Sequence, residues 1–371
     1  MDPPLTIDWS SDESHLLLNP RMPEEEQAQL RSLVVALPGH VWIATSGSTG
    51  ALKLTALSKQ AMLASAEAVN RRFDVRSSDV WACVLPEFHV GGLGIHARAF
   101  LAGATVVRMP WESRLFAQYE RMTLASLVPA QVSDLVQLQV APPPALRAVI
   151  VGGGVLPREL YEAARALGWP VLPSYGMTET CSQVATAMDT SPELVLLDHV
   201  ETRMEEDGRL AFRGPSLLTG YATRDGFVDP KTADGWFITE DIGMVAGNIL
   251  HVQGRRGDFL KIGGESVDLA RLDAILERVA GAHAALIAVP DERLGHVLHL
   301  VADATVAAEE IARLYGERVH PFERARAIHQ IDEIPRSPLG KLLRRELWNR
   351  IHPDPVVHGP AAGSSSLKNE P

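Results

Sequence analysis

Thr45-Ser46-Gly47-Ser48-Thr49-Gly50, with Lys53 three residues further on, directly follows the apolar run Val41-Trp42-Ile43-Ala44. An apolar run of that length reads as a strand, and six small or hydroxylated residues after it read as a loop that can fold closely around a ligand. Such a loop brings several backbone N–H groups and hydroxyls to one polyanion, and the lysine adds a full positive charge. This is chemistry for a nucleoside triphosphate. It is not a Walker loop, because no Gly-Lys-Ser/Thr follows the required spacing.

Around this loop the pattern is α/β. Ser58 is a good N-cap for a helix to about Arg72. Short apolar runs at Val80–Leu85, Ala104–Arg108, Leu124–Val128, Ala148–Val151 and Val171–Pro173 alternate with helix-length segments such as Pro157–Leu167. That alternation predicts mostly parallel sheets with ligands at the carboxyl ends of the strands. After about residue 205, regularly spaced glycines (Gly208, Gly214, Gly220, Gly226, Gly235, Gly243, Gly247, Gly254) predict a small antiparallel, β-rich subdomain. Beyond Arg255 a small α+β domain follows, with helices near Leu269–Val279 and Ala307–Tyr315 and a strand near Ala284–Val289. The expected divisions are 1–255, 256–352 and a disordered tail at 353–371, which is rich in Pro, Gly and Ser.

At 371 residues, 46% apolar and 22% charged, the chain has ample material for a core. A net charge of −11 argues against a general nucleic-acid or anionic-membrane binder. Two cysteines, Cys83 and Cys181, imply no disulfide framework and fit a reducing compartment. The acidic, proline-bearing start does not read as a signal peptide, and no apolar run approaches membrane-spanning length. A cytoplasmic location is expected.

Four further segments carry the functional reading. They are Ser174-Tyr175-Gly176-Met177-Thr178-Glu179-Thr180, Gly235-Trp236-Phe237-Ile238-Thr239-Glu240-Asp241, Gly254-Arg255-Arg256-Gly257-Asp258 with Gly263-Gly264-Glu265, and Pro335-Arg336-Ser337-Pro338-Leu339-Gly340-Lys341. Together with the opening loop, in this order, they resemble the adenylate-forming superfamily of acyl-CoA synthetases, adenylation domains and luciferases, from about residue 41 to 350. Within it, Pro86-Glu87-Phe88-His89-Val90-Gly91-Gly92-Leu93-Gly94-Ile95-His96-Ala97-Arg98 and Ala125-Ser126-Leu127-Val128-Pro129-Ala130-Gln131 resemble the o-succinylbenzoate–CoA ligases of menaquinone biosynthesis. Most of the subdomain that usually precedes the phosphate loop is missing here, which puts any inherited dimer interface in doubt; a homodimer stays open.

The resemblance implies a reaction in two halves, with ATP, Mg²⁺ and coenzyme A. Thr45, Ser46, Gly47, Ser48, Thr49, Gly50 and Lys53 hold the β- and γ-phosphates, and Glu179 is the Mg²⁺ ligand. Thr178 contacts the α-phosphate or the substrate carboxylate. Ser174, Tyr175 and Gly176, with Gly152-Gly153-Gly154, surround the base, and Asp241 and Arg255 take the ribose. Lys341 is the catalytic lysine of adenylate formation, Gly257 the hinge of a mobile C-terminal domain, and Gly263-Gly264 the wall of the pantetheine tunnel. Arg98, with Ser126 as a secondary contact, is matched to the retained carboxylate of a dicarboxylate substrate, a satisfied structural arginine being the other reading. His89 flanks the aryl group or takes part in the chemistry, with a core histidine as the alternative. His89 and His96 have no zinc-site company in the sequence.

Three departures from the family pattern stand out. Leu52 replaces a proline before Lys53 and should loosen the loop. Glu240 replaces a glycine and adds a negative charge before Asp241, and the preceding subdomain is short. They keep two other readings open: a ligase for another aryl or fatty acid, and a nucleotide-binding regulatory protein that has lost catalysis.

Overall fold

A computed structural model describes residues 7–352, apart from 47–51, 190, 256–258, 263–264, 292–293 and 338–339. Gly47, Ser48, Thr49, Gly50, Gly257, Gly263, Gly264 and the expected tail therefore lie outside the described residues. The chain forms two compact units, Met1–Gly257 and Asp258–Pro371.

The first unit opens with β1 (His15–Leu17), α1 (Glu24–Leu33), β2 (His40–Ser46), β3 (Leu52–Ser58) and α2 (Lys59–Phe73). Next come β4 (Val80–Cys83), α3 (Val90–Ala102), β5 (Thr105–Arg108), α4 (Ser113–Ala117), β6 (Leu124–Leu127), α5 (Pro129–Gln137), β7 (Ala148–Val151), α6 (Arg158–Ala166) and β8 (Val171–Met177). The remainder is β9 (Ser182–Met188), β10 (Ser191–Leu196), β11 (Glu201–Met204), β12 (Arg209–Arg213), β13 (Gly220–Thr223), β14 (Gly226–Val228), β15 (Phe237–Ala246) and β16 (Ile249–Arg255).

Two sheets organise this unit. One runs β1-β2-β3-β13-β14, and the other, of eleven strands, runs β11-β12-β15-β16-β10-β9-β8-β7-β6-β4-β5. Strands β5, β4, β6, β7 and β8 pair in parallel, as the alternating apolar runs and helices predict. At β8 the sheet changes character, because β9 turns back antiparallel on it. The glycine-punctuated stretch supplies the antiparallel half, with left-handed turns at Gly208, Gly226, Gly235 and Gly247. Ser58 caps α2 by accepting the Ala61 N–H at 3.0 Å.

Side-chain alternation decides which residues face the interior. On β2 and β3, Val41, Ile43 and Leu57 point into the main core, together with Phe212, Phe237, Tyr175 and Tyr221. Trp42, Leu54 and Ala56 point the other way, towards α1. Thr45 pairs with Lys53 and Ile43 with Thr55, so Thr45, Lys53 and Thr55 lie on the same face as the main core.

Ser174, Tyr175 and Gly176 lie inside β8, whereas the sequence reading placed them after the strand. The strand continues because β9 pairs with it there, and Gly176 permits a very close approach. A Cβ at position 176 would lie 2.0 Å from the Ser182 carbonyl oxygen, which belongs to the backbone and cannot swing aside. Gly176→Ala is therefore expected to cost about 3 kcal/mol of stability, read as a lower urea midpoint. A wild-type midpoint would show that β8 and β9 separate freely.

The second unit contains β17 (Phe259–Ile262), β18 (Glu265–Asp268), α7 (Leu269–Ala280), β19 (Ala284–Asp291), β20 (Gly295–Asp303), α8 (Ala308–Gly316), β21 (Ala325–Ile331) and α9 (Arg344–Ile351). Its sheet runs β18-β17-β20-β19, with β21 parallel to β20. The amphipathic α7 and α8 bury Leu272, Leu276, Ile311 and Tyr315 on one face of it. Leu347 of α9 packs with Val301 and Ile334 in a smaller cluster. No helix among the described residues is long and apolar enough to cross a membrane.

Candidate active site

The β8–β9 connection holds Thr178 and Glu179. Strand β8 ends at Met177, a single 3-10 turn follows at Thr178–Thr180, and Cys181 takes a left-handed conformation, φ 58°. Thr180 Oγ1 braces the turn, accepting the Met177 N–H at 3.1 Å and lying 2.7 Å from the Ser182 carbonyl. The Glu179 carbonyl accepts the Leu218 N–H at 2.8 Å, which ties the turn to the segment leading into β13.

Two polar clusters form around this hairpin. In the first, Lys53 Nζ lies 3.9 Å from Glu179 Oε1 and 3.4 Å from the centroid of the Tyr221 ring. The Tyr221 hydroxyl donates to the same Glu179 oxygen at 2.8 Å. Burial holds the Lys53 ammonium below its ordinary range; the Glu179 carboxylate opposes that shift and the Arg255 guanidinium adds to it. In the second cluster the Tyr175 hydroxyl donates to Asp241 Oδ2 at 2.6 Å, and Arg255 Nε lies 3.9 Å from Asp241 Oδ1. Burial, then the Asp241 charge, pushes the Tyr175 phenol up, so it stays a donor.

A third group sits at the carboxyl ends of the parallel strands. Ser126 lies in the last half of β6, Gly152 follows β7, and Ser174 on β8 donates to the Val151 carbonyl at 3.0 Å. A Cβ on Gly152 would meet Ser174 Oγ at 3.0 Å. Arg98 on α3 is 2% exposed and donates through Nη2 to Ser182 Oγ at 2.9 Å. Its Nε and the Ser126 hydroxyl are buried without hydrogen-bond partners, and no carboxylate among the described residues pairs with the guanidinium. Burial alone pulls the Arg98 pKa down to about 10, so the side chain stays charged at neutral pH. A buried charge without a counterion is costly unless something supplies one.

His89 occupies the N-cap position of α3 without a side-chain capping bond, its ring lies 4.7 Å from that of Phe88, and burial lowers its pKa, which keeps the imidazole neutral. His96 differs from its sequence reading, because it does have acidic company. Its Nε2 lies 2.5 Å from Glu87 Oε1, and the ligand atoms of Cys83, Glu87 and His96 all fall within 4.8 Å of one another. Arg108 pairs with the same Glu87 oxygen, so a positive charge already stands where a cation would bind. Both cysteines are buried, and desolvation pushes the Cys83 thiol up to about 12 and Cys181 higher still.

Of the sequence-derived site residues, the first unit gathers Lys53, Glu179, Tyr175, Asp241 and Arg255 closely enough to sense one another's charge. Thr45 on β2 hydrogen-bonds Thr55 on β3 at 3.1 Å. Glu240 faces away from Asp241 along β15, and Arg209 Nη1 lies 3.6 Å from its carboxylate. The added negative charge of Glu240 therefore has a cationic partner on the neighbouring strand β12. Lys341 belongs to the second unit, exposed on a turn where Ser337 N–H donates to its carbonyl at 2.7 Å. Tyr221 was not singled out from the sequence. Its signal lies in strand pairing, which sets it opposite Thr55, two residues from Lys53.

A carboxylate beside a lysine and a tyrosine–aspartate–arginine cluster, in a chain that carries the hydroxyl-rich sequence at 45–50, match the class of adenylate-forming enzymes. A family profile described as AMP-binding enzyme matches residues 40–222. The 2-succinylbenzoate–CoA ligase of Bacillus licheniformis is 32% identical over an alignment 328 positions long that covers 82% of this chain and 68% of the relative. That of Bacillus cereus is 31% identical over 333 residues, with the same coverage. Among solved structures, o-succinylbenzoate CoA synthetase from Bacillus subtilis in complex with its acyl-adenylate intermediate matches with a TM-score of 0.74 at 28% identity, covering 83% of this chain and 68% of that one. The same enzyme with ATP and magnesium ion gives 0.73 at 28% identity, covering 83% and 69%. The chain belongs to the 2-succinylbenzoate–CoA ligase family of AMP-binding enzymes.

Proposed function

We propose that this chain joins o-succinylbenzoate to coenzyme A at the expense of ATP, releasing AMP and pyrophosphate, as a step of menaquinone biosynthesis. It acts on small molecules in the cytoplasm, as a monomer or a homodimer. In the first half-reaction a carboxylate oxygen of the acid attacks the α-phosphorus, and the bond from that phosphorus to the bridging oxygen of pyrophosphate breaks. In the second, the CoA thiol attacks the acyl carbon and AMP leaves.

Two anions must meet in the first step, so the site has to offset their repulsion and hold the attack in line. Lys53 and the loop at 45–50 take the β- and γ-phosphates. Glu179 offers a hard oxygen donor, the donor type that suits Mg²⁺, which characteristically binds one or two carboxylates, phosphate oxygens and water. Bound there, the cation neutralises phosphate charge. Tyr175, held by Asp241, sits against the base, and Asp241 with Arg255 takes the ribose hydroxyls. Ser174 and the glycines at 152–154 leave room for the purine, Gly176 adds its backbone to that wall, and Thr178 faces the α-phosphate or the reacting carboxylate. Arg98 and Ser126 bind the carboxylate that is not activated, and His89 flanks the ring. Lys341 serves adenylate formation; Gly257 is the pivot that ends its turn and lets Gly263 and Gly264 line the thiol's path.

The observation that carries the choice of acid is the buried Arg98 guanidinium, whose Nε lacks a hydrogen-bond partner, as does the buried Ser126 hydroxyl at the end of the parallel strands. A second carboxylate on the substrate satisfies both. ATP–pyrophosphate exchange over a panel of acids, followed by CoA consumption, tests this reading. Exchange with o-succinylbenzoate and not with benzoate is expected. Exchange with benzoate or a fatty acid alone would move the enzyme to another substrate, and no exchange with any acid would leave a nucleotide-binding protein without catalysis.

A further inference from the structure

Tyr221 is the residue through which Lys53 and Glu179 meet, and it lies outside all five motifs. Strand β13 runs antiparallel to β3 and places Tyr221 opposite Thr55, so its ring lies diagonally beside Lys53 on one face of the sheet. The ring face carries the Lys53 ammonium at 3.4 Å from its centroid, and the hydroxyl donates to Glu179 Oε1 at 2.8 Å. Tyr221 follows Gly220, where a Cβ would lie 2.5 Å from the Phe227 ring and 2.7 Å from the Val228 carbonyl oxygen. Close packing of β14 on β13 therefore holds the backbone beside Tyr221 in register.

The two ends of this side chain do different things. A carboxylate has two oxygens, and a phenol donating to Oε1 fixes its rotation and leaves Oε2 to face a cation. In this contact the phenol O–H is the donor and the carboxylate oxygen the acceptor. The ring holds the ammonium through its π face. That face restrains the lysine without neutralising its charge, so the charge remains available to a polyphosphate.

We infer that Tyr221 is a positioning residue for the nucleotide half of the reaction: its hydroxyl orients the carboxylate that takes the divalent cation, and its ring holds the lysine that takes the phosphates. This rests on the roles given above to Glu179 and Lys53.

Two substitutions separate the two ends. Tyr221→Phe removes the hydroxyl and keeps the ring; Tyr221→Ala removes both. ATP binding to the full chain is measured by calorimetry at a series of Mg²⁺ concentrations and also without Mg²⁺. For Tyr221→Phe, the Mg²⁺ concentration giving half the metal-dependent gain in affinity should rise about tenfold, with metal-free ATP affinity unchanged. Tyr221→Ala should show the same rise and also lose about fivefold in metal-free affinity. Tyr221→Phe with wild-type Mg²⁺ dependence, or two variants alike in both measurements, overturns the inference. Glu179→Gln measured alongside tells the two failures apart. If it raises the Mg²⁺ requirement and Tyr221→Phe does not, the tyrosine role alone fails. If Glu179→Gln leaves the requirement unchanged, the metal assignment fails and takes the inference with it.

Discussion

Lys341→Ala should lower adenylate formation by about 10²–10³-fold and leave thioester formation from a preformed acyl-adenylate within about twofold. Charge accumulates on the α-phosphate and the attacking carboxylate as the first bond forms, and an ammonium aimed there stabilises the transition state more than the ground state. The second half-reaction develops its charge on the acyl carbonyl and a departing AMP, and the proposal gives Lys341 no part in it. Lys341 is exposed on a turn shaped by Gly340, which adopts φ 78°. Truncating an exposed side chain there should leave the fold intact. Pyrophosphate exchange reads the first half-reaction, and single-turnover release of AMP on addition of CoA reads the second. Equal losses in both would remove Lys341 from its assigned half-reaction.

Arg98→Met should raise KM for o-succinylbenzoate roughly 100-fold, equivalent to about 3 kcal/mol, with KM for ATP within about twofold. Stability separates this from a structural role. An arginine that holds a fold together through a buried ion pair destabilises the protein when it is truncated. Arg98 has no carboxylate partner among the described residues, and its burial opposes its charge. Replacing it with an apolar side chain of similar length should therefore keep or raise the melting temperature while substrate affinity falls. An unchanged KM with a lower melting temperature would make Arg98 a structural residue.

Local pattern carried much of the fold. The strand that opens at His40, the helix capped by Ser58 and the parallel run from β4 to β8 follow from periodicity and caps that need no distant partner. The end of β8 was harder to read, because Ser174-Tyr175-Gly176 looks like loop until β9 pairs with it. Strands β20 and β21 lack such punctuation, and their pairing brings residue 299 beside 327 across a helix. The site divides in the same way. Lys53, Glu179, Asp241 and Arg255, which the first unit gathers, each sit in a sequence motif. Tyr221 owes its position to pairing between strands more than 160 residues apart in sequence, and the partner of Glu240 comes from the neighbouring strand β12. Neither is visible in a window of local sequence.

The burial of Cys83 and Cys181 has a practical consequence for work with a thiol substrate. Both side chains are closed off, and their high pKa values leave almost no thiolate at neutral pH, which is the form that reacts with disulfides and electrophiles. The native protein should neither form mixed disulfides with CoA nor add to the colour developed by an aromatic disulfide reagent. Depletion of free CoA can then be followed colorimetrically against a flat background, and a rising background would mark the fraction of enzyme that has unfolded.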